Sequence, residues 1–202
     1  MKIAILMEGD TERSFLPYLR DFLGGRLSGK MPRLLSSIYN GRIPKQEKLK
    51  RRVEALLWGK EPDADHVIAL TDVYTGSDDF QDAEDAKLQM RNWVGPNERF
   101  HPHVAQHDFE AWLLPYWPAI QELARHNRTA PAGKPETINH NRPPSYHIRE
   151  IFRIGKSPRD YQKIRDAKRI LQGKDLGIAA AACPELRSFL NTILTLCEGD
   201  PI

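Results

Sequence analysis

Glu8 and Glu12 stand four residues apart in Met7-Glu8-Gly9-Asp10-Thr11-Glu12, the strongest chemical signal in the chain. Glu8 closes an apolar run, Gly9 permits a tight turn, and Glu12 falls one helical turn further on if a helix starts near Asp10. Acids at a helix start have an ordinary use in capping amides and complementing the dipole, and Asp10 or Thr11 suits that role. Capping does not account for Glu8, which precedes the cap. Asp72, in Leu70-Thr71-Asp72-Val73-Tyr74, ends a second apolar run. Two strand-end carboxylates on one sheet edge repel each other, and a divalent cation relieves that cost. Hard oxygen ligands suit Mg²⁺ or Mn²⁺.

A third acid, Glu110, is embedded in His107-Asp108-Phe109-Glu110-Ala111-Trp112-Leu113-Leu114. So apolar a setting excludes an unpartnered carboxylate, which predicts either a basic partner or a metal. His101, His103 and His107 follow no helical or knuckle spacing, so they read as structural or surface groups rather than zinc ligands. Cys183 and Cys197 are too few for a disulfide framework or a cysteine-rich zinc site, and are expected as free thiols in a reducing cytoplasm.

The elements that must position these acids alternate between strand and helix patterns over the first half of the chain. Lys2–Met7 is a continuous apolar run, as a parallel strand buried on both faces should be. Phe15, Leu16, Leu19, Phe22 and Leu23 form a helical stripe before Gly24-Gly25. Leu34–Tyr39 is the second predicted strand and Gln46–Trp58 the second helix. His66–Thr71, running into Asp72, is the third strand, Ala83–Trp93 the third helix, and Phe100–Ala105 the fourth strand. Asp108–Leu114 reads as the start of another helix. The stretch 118–145 carries Pro131, Pro135, Pro143 and Pro144 and reads as a linker. Helices are then predicted over Tyr146–Phe152, Tyr161–Leu171 and Pro184–Leu196. The expected fold is α/β: a mostly parallel, Rossmann-like sheet of about four strands over residues 1–117, with a helical C-terminal part over 146–202 packed on it.

With 202 residues, 40% hydrophobic and 28% charged, the composition is that of a globular domain and excludes collagen-like, mucin-like and fully disordered chains. No apolar run approaches the ~20 residues of a membrane span, and Glu8 interrupts the first one too soon for a secretory signal. The net charge of +3 conceals strong segregation. Arg42–Lys60 holds seven basic residues against two acidic ones. Glu61–Asp85 holds nine acidic residues and no Lys or Arg. Arg142–Lys174 holds ten basic residues against three acidic ones. An acidic concentration between two basic stretches suits a cation site that handles a polyanion, though charge runs are more often plain solvated faces.

The Glu8-Gly9-x-x-Glu12 turn after a first strand resembles the opening motif of the TOPRIM superfamily. That superfamily includes topoisomerase and primase catalytic domains, small ribonucleases and the OLD-family nucleases of phage defence. Asp72 falls where its Asp-x-Asp motif begins, but Tyr74 occupies the second acidic slot, so Glu110, Asp78 or Asp79 would have to substitute. More closely, Glu-Gly-x-Thr-Glu, Asp-Val-Tyr, His-Asp-Phe-Glu-Ala-Trp-Leu-Leu, Lys134-Pro135-Glu136, Pro143-Pro144 and Cys183-Pro184 with Phe189-Leu190 resemble an uncharacterised bacterial TOPRIM-like family. Its members are similar to defence proteins encoded beside ATPases of the ABC/AAA type. The resemblance implies a Mg²⁺- or Mn²⁺-dependent nuclease with Glu8, Glu12, Asp72 and Glu110 at its metal site. Lys156, Arg159, Lys163 and Arg165 would hold the DNA or RNA backbone, and an ATPase would be its partner. The competing reading is a catalytically idle partner of such an ATPase, with Trp112, Tyr116 and Trp117 as candidates for a contact face.

Overall fold

The computed structural model describes residues 1–60, 62–73, 80–138, 141–157 and 159–202. Four strands, β1 (Lys2–Met7), β2 (Arg33–Ile38), β3 (His66–Val73) and β4 (Phe100–Gln106), form one parallel sheet in the order β2-β1-β3-β4. Parallel pairing requires crossovers, and α1 (Asp10–Gly24), α2 (Gln46–Trp58) and α3 (Ala83–Val94) supply them. The predicted α/β class and the four-stranded parallel sheet are therefore present. All four strands end on one edge, where Glu8 follows β1 and Asp72 is the penultimate residue of β3. β3 thus runs through Asp72 rather than stopping before it.

Alternation along the strands splits the core in two. Ile3, Ile5, Met7, Ile68 and Leu70 face α1 and the C-terminal helices, whereas Ala4, Leu6, Val67, Ala69 and Val73 face α2 and α3. The C-terminal helices are α4 (Trp117–Ala124), α5 (Pro144–Ile154), α6 (Lys163–Leu171), α7 (Leu176–Ala182) and α8 (Pro184–Leu196). Their apolar residues continue the first of these cores, from Ile120 to Leu194. α4 lies inside the stretch read as linker, and α7 was not anticipated because Leu176–Ala182 is too short and too alanine-rich to show a stripe. Between α4 and α5, Glu136 is buried. It accepts hydrogen bonds from Trp112 Nε1 (3.2 Å) and from the backbone N–H groups of Glu185 (3.0 Å) and Leu186 (3.4 Å). One carboxylate thereby ties the proline-rich loop to the start of α8, whose first N–H groups have no partner within the helix.

The histidines of β4 serve structure. His101 Nε2 lies 3.2 Å from His66 Nδ1, and His103 Nε2 lies 3.0 Å from Thr192 Oγ1 of α8. Burial, with His101, Lys87 and Arg91 adding repulsion, depresses the pKa of His103 to about 3. A folded-state value below the ordinary 6.5 means that the unfolded chain binds the proton more readily. The contribution of His103 is therefore present above pH 6.5 and lost as pH falls towards 3, at up to about 1.4 kcal/mol per pH unit. Replacing His103 with Gln should cost stability near neutrality, with the deficit against wild type closing on acidification. Urea unfolding at a series of pH values checks this, and a constant deficit would refute it.

Cys183 and Cys197 are free thiols, the first of them buried. Among the described residues no helix is long and apolar enough to cross a membrane.

Candidate functional site

Glu8 is half-buried at the tip of β1. Its Oε1 accepts the hydroxyl of Thr71 and, at 3.3 Å, the backbone N–H of Asp72, so the register of β1 against β3 carries directly into the site. Gly9 caps α1 with φ −157°, an extended conformation open to any residue. Glycine is thus not demanded by the backbone here. What it leaves open is space for Glu12, whose Oε2 would sit 3.4 Å from an added Cβ and accepts the Gly9 N–H at 3.0 Å. Glu12 is buried.

Asp72 shares with Ile68 and Leu70 the sheet face covered by α1 and the C-terminal helices. Burial raises its pKa well above the usual carboxylate value, and Glu12, Glu8, Asp108 and Glu110 all push in the same direction. Glu8 and Glu12 are raised as well, chiefly by burial. After β4 the chain turns through His107, buried at φ +69°, a left-handed conformation uncommon outside glycine. That turn delivers Asp108 and Glu110, both wholly buried, into the same region. Glu110 Oε2 accepts from Lys163 Nζ at 3.2 Å and Oε1 from Tyr161 Oη at 3.2 Å. Asp108 Oδ2 accepts the Ser145 N–H at 3.2 Å, while its buried Oδ1 has no hydrogen-bond partner among the described residues. Burial raises both acids and Lys163 offsets part of the effect. Burial also works against the charge on Lys163, yet Glu110, Asp108 and Asp72 together hold its pKa above the ordinary lysine value.

The structure thus gathers Glu8, Glu12, Asp72 and Glu110 at one end of the sheet and adds Asp108, which the sequence reading passed over. Its signal in the sequence is the His-Asp-Phe-Glu block, where Asp108 stands two residues before Glu110, the acid more deeply embedded among apolar residues. Of the two partners foreseen for Glu110, the basic one is found. Asp78, Asp79 and Tyr74 lie outside the described residues. Among the described residues no group of three or more His, Cys, Asp or Glu side chains is placed so that it could hold a metal ion. The donor chemistry, all carboxylate oxygen, is nevertheless the kind a hard cation takes, and Lys163, with Arg42 near Glu8 and Arg149 near Asp108, offsets only part of its charge.

Of the four basic residues expected at the phosphate backbone, Lys163 contacts Glu110, and Arg165 contacts Asp166 (2.7 Å) and the carbonyl of Asp160 (2.8 Å). Lys156 and Arg159 are exposed between α5 and α6. Trp112, Tyr116 and Trp117 are buried, which removes them as a contact face. Trp112 packs against Phe15 of α1 and Phe189 of α8, Tyr116 donates its hydroxyl to the Asp175 carbonyl before α7, and Trp117 donates Nε1 to the Arg128 carbonyl.

A family model described as domain of unknown function DUF4276 matches residues 7–194. The chain belongs to the DUF4276 family. No curated protein matches it. In three dimensions this DUF4276 chain is similar to the C-terminal region of the Burkholderia pseudomallei OLD protein, at 16% identity and a TM-score of 0.56, covering 96% of this chain and 98% of that one. It is also similar to the C-terminal region of the Xanthomonas campestris pv. campestris OLD protein, at 16% identity and a TM-score of 0.48, covering 97% and 93%. The first of these likenesses gives the DUF4276 chain the fold of an OLD C-terminal region.

Proposed function

We propose that this chain is a divalent-metal-dependent nuclease of TOPRIM type, acting on DNA or RNA, with the ABC/AAA-type ATPase partner that the resemblance implies. One observation carries the reading. Acids from three separate stretches of chain are brought to the carboxyl edge of a parallel sheet, where ligand sites of such sheets lie, at an electrostatic cost that a cation would relieve. Mg²⁺ or Mn²⁺ would be held by Glu8, Asp72 and Glu12, with Asp108 adjoining. Once bound, it would polarise a phosphate and lower the pKa of a water. Thr71 and the Asp72 N–H fix the Glu8 carboxylate, and Gly9 fixes Glu12. Glu110, which also accepts the Tyr161 hydroxyl, holds the Lys163 ammonium within electrostatic reach of Asp72, where it would meet a phosphate oxygen. The similarity to an OLD C-terminal region supports this reading at the level of fold.

A second reading has an observation of its own. Lys163 already compensates Glu110, Asp108 and Asp72 in part, as in a structural network of an idle partner protein. Glu8→Gln separates the two, since it keeps shape and removes charge. The nuclease reading expects Mn²⁺ to raise the melting temperature of wild type but not of the variant. It also expects wild type alone to cut labelled single- and double-stranded DNA and RNA. Absence of any Mn²⁺ response in wild type would leave the idle reading, and equal cutting by both proteins would expose a contaminating nuclease.

A further inference from the structure

Away from the carboxylate edge, the end of α4, Ser157, Arg159 and α6 line an open cavity of about 610 Å³. Four guanidinium side chains line it: Arg125, which ends α4 in a left-handed conformation, Arg159 between α5 and α6, and Arg165 and Arg169, one turn apart on α6. One of them, Arg165, is fixed in advance. Asp166, wholly buried behind α6, takes both Arg165 Nε (2.8 Å) and Nη2 (2.7 Å), and its Oδ1 lies 3.6 Å from Arg169 Nη1. Ser157 donates its hydroxyl to the Arg159 carbonyl at 3.0 Å. Glu122 is the acid in the wall. With four arginines against Glu122 and Asp166, the cavity carries a formal charge of +2.

We propose that this cavity binds a phosphomonoester dianion, the group at the end of a nucleic-acid strand or on a free nucleotide. Guanidinium groups pair with phosphate oxygens through their N–H donors. Arg165, whose Nε and Nη2 are engaged by Asp166 and the Asp160 carbonyl, presents Nη1 from a fixed position and so loses less entropy on binding. A charge of +2 in one concavity matches a dianion, whereas a phosphodiester within a chain brings a single charge per residue. The cavity also has an extension. A groove along α6, lined by Arg165, Arg169, Lys168, Lys163, Ile164 and Thr11, leads from it to the start of α1, next to Glu12. Ile164 is 42% exposed there and offers a base an apolar platform between cations. This continuity favours a strand end over a lone nucleotide. The proposal concerns binding and holds whether or not the strand is cut at the carboxylate edge.

The test is fluorescence anisotropy in buffer containing a chelator, at fixed ionic strength, so that neither cleavage nor metal enters the readout. A short labelled single strand carrying a terminal phosphate should bind at least about tenfold more tightly than the same strand with hydroxyl ends. Arg125→Gln and Arg169→Gln should each abolish that preference, and Arg51→Gln, at an exposed position on α2, should retain it. Because Arg169 neighbours Asp166, its variant could unfold, whereas Arg125 stands outside that contact and keeps the test decisive. Competition by a nucleoside monophosphate equal to that of the phosphorylated strand would make the free nucleotide the ligand. Equal binding of both strands by wild type, or a preference surviving both arginine substitutions, would overturn the proposal.

Discussion

Lys163→Met should destabilise the fold by about 3 kcal/mol, among the larger losses expected from any single substitution in this chain. Lys163 is the ammonium that Glu110, Asp108 and Asp72 share, and Glu110 is wholly buried. Removing it leaves Glu110 with the Tyr161 hydroxyl and leaves the other acids to repel one another. Removing one partner of a buried pair costs about 3–5 kcal/mol, and the lower end applies because the Lys163 side chain is 37% exposed. Adding Glu110→Gln should recover most of the loss, since an uncharged amide keeps the contact with Tyr161 without the uncompensated charge. Acidification should recover part of it too. Folded-state carboxyl pKa values above the unfolded ones favour the fold as pH falls towards the ordinary carboxylate range, and that contribution fades as pH rises through the folded-state values. Chemical denaturation of the single and double variants checks all three statements. A loss below about 0.5 kcal/mol would show that the acids do not depend on the lysine.

Asp72→Asn should have opposite effects on stability and activity. It removes one charge from the most crowded buried carboxylate of the site, so the variant should be more stable than wild type by about 1–2 kcal/mol at neutral pH. On the nuclease reading it should also lose cleavage by ~10³-fold, equivalent to about 4 kcal/mol of barrier, together with the thermal response to Mn²⁺. Stability bought by losing function is what a site held against its own electrostatics should show. A variant that is less stable than wild type would give the Asp72 carboxylate a structural role instead. One that cuts as well as wild type would remove Asp72 from the chemistry.

Most of the fold was legible in the sequence because apolar periodicity is strong where burial is two-sided. Lys2–Met7, Gln46–Trp58 and Pro184–Leu196 have the boundaries read from pattern alone. α4 and α7 escaped because their helical form depends on packing: α4 follows two short 3-10 turns over Phe109–Trp112 and Leu114–Tyr116, and α7 carries four consecutive alanines. The acids of the sheet edge were legible because strand ends are predictable and parallel strands share an edge. Asp108 and the assignment of Lys163 to Glu110 were not, since both depend on the turn at His107 and on α6 crossing back over the site. Sequence spacing carries no record of a contact across 53 residues. Gly9 was identified for the wrong physical reason: its backbone is extended, and what matters is the room it leaves for Glu12.

The division of the core between the two sheet faces has a consequence for how the chain is made. The face covered by α2 and α3 can close once β4 has left the ribosome, because its residues run only from Ala4 to Val104. The other face needs α8, whose Ile193 and Leu194 lie in the same core as Ile3 and Ile5. At roughly 5–20 residues per second, the apolar side of β1 and β3 waits several seconds for its cover. During that interval Ile3, Ile5, Met7, Ile68 and Leu70 have only α1 for cover and leave part of an apolar sheet face open to solvent, the kind of surface that chaperones engage. Shortening the chain within α8 should therefore yield an aggregating product rather than a smaller folded one.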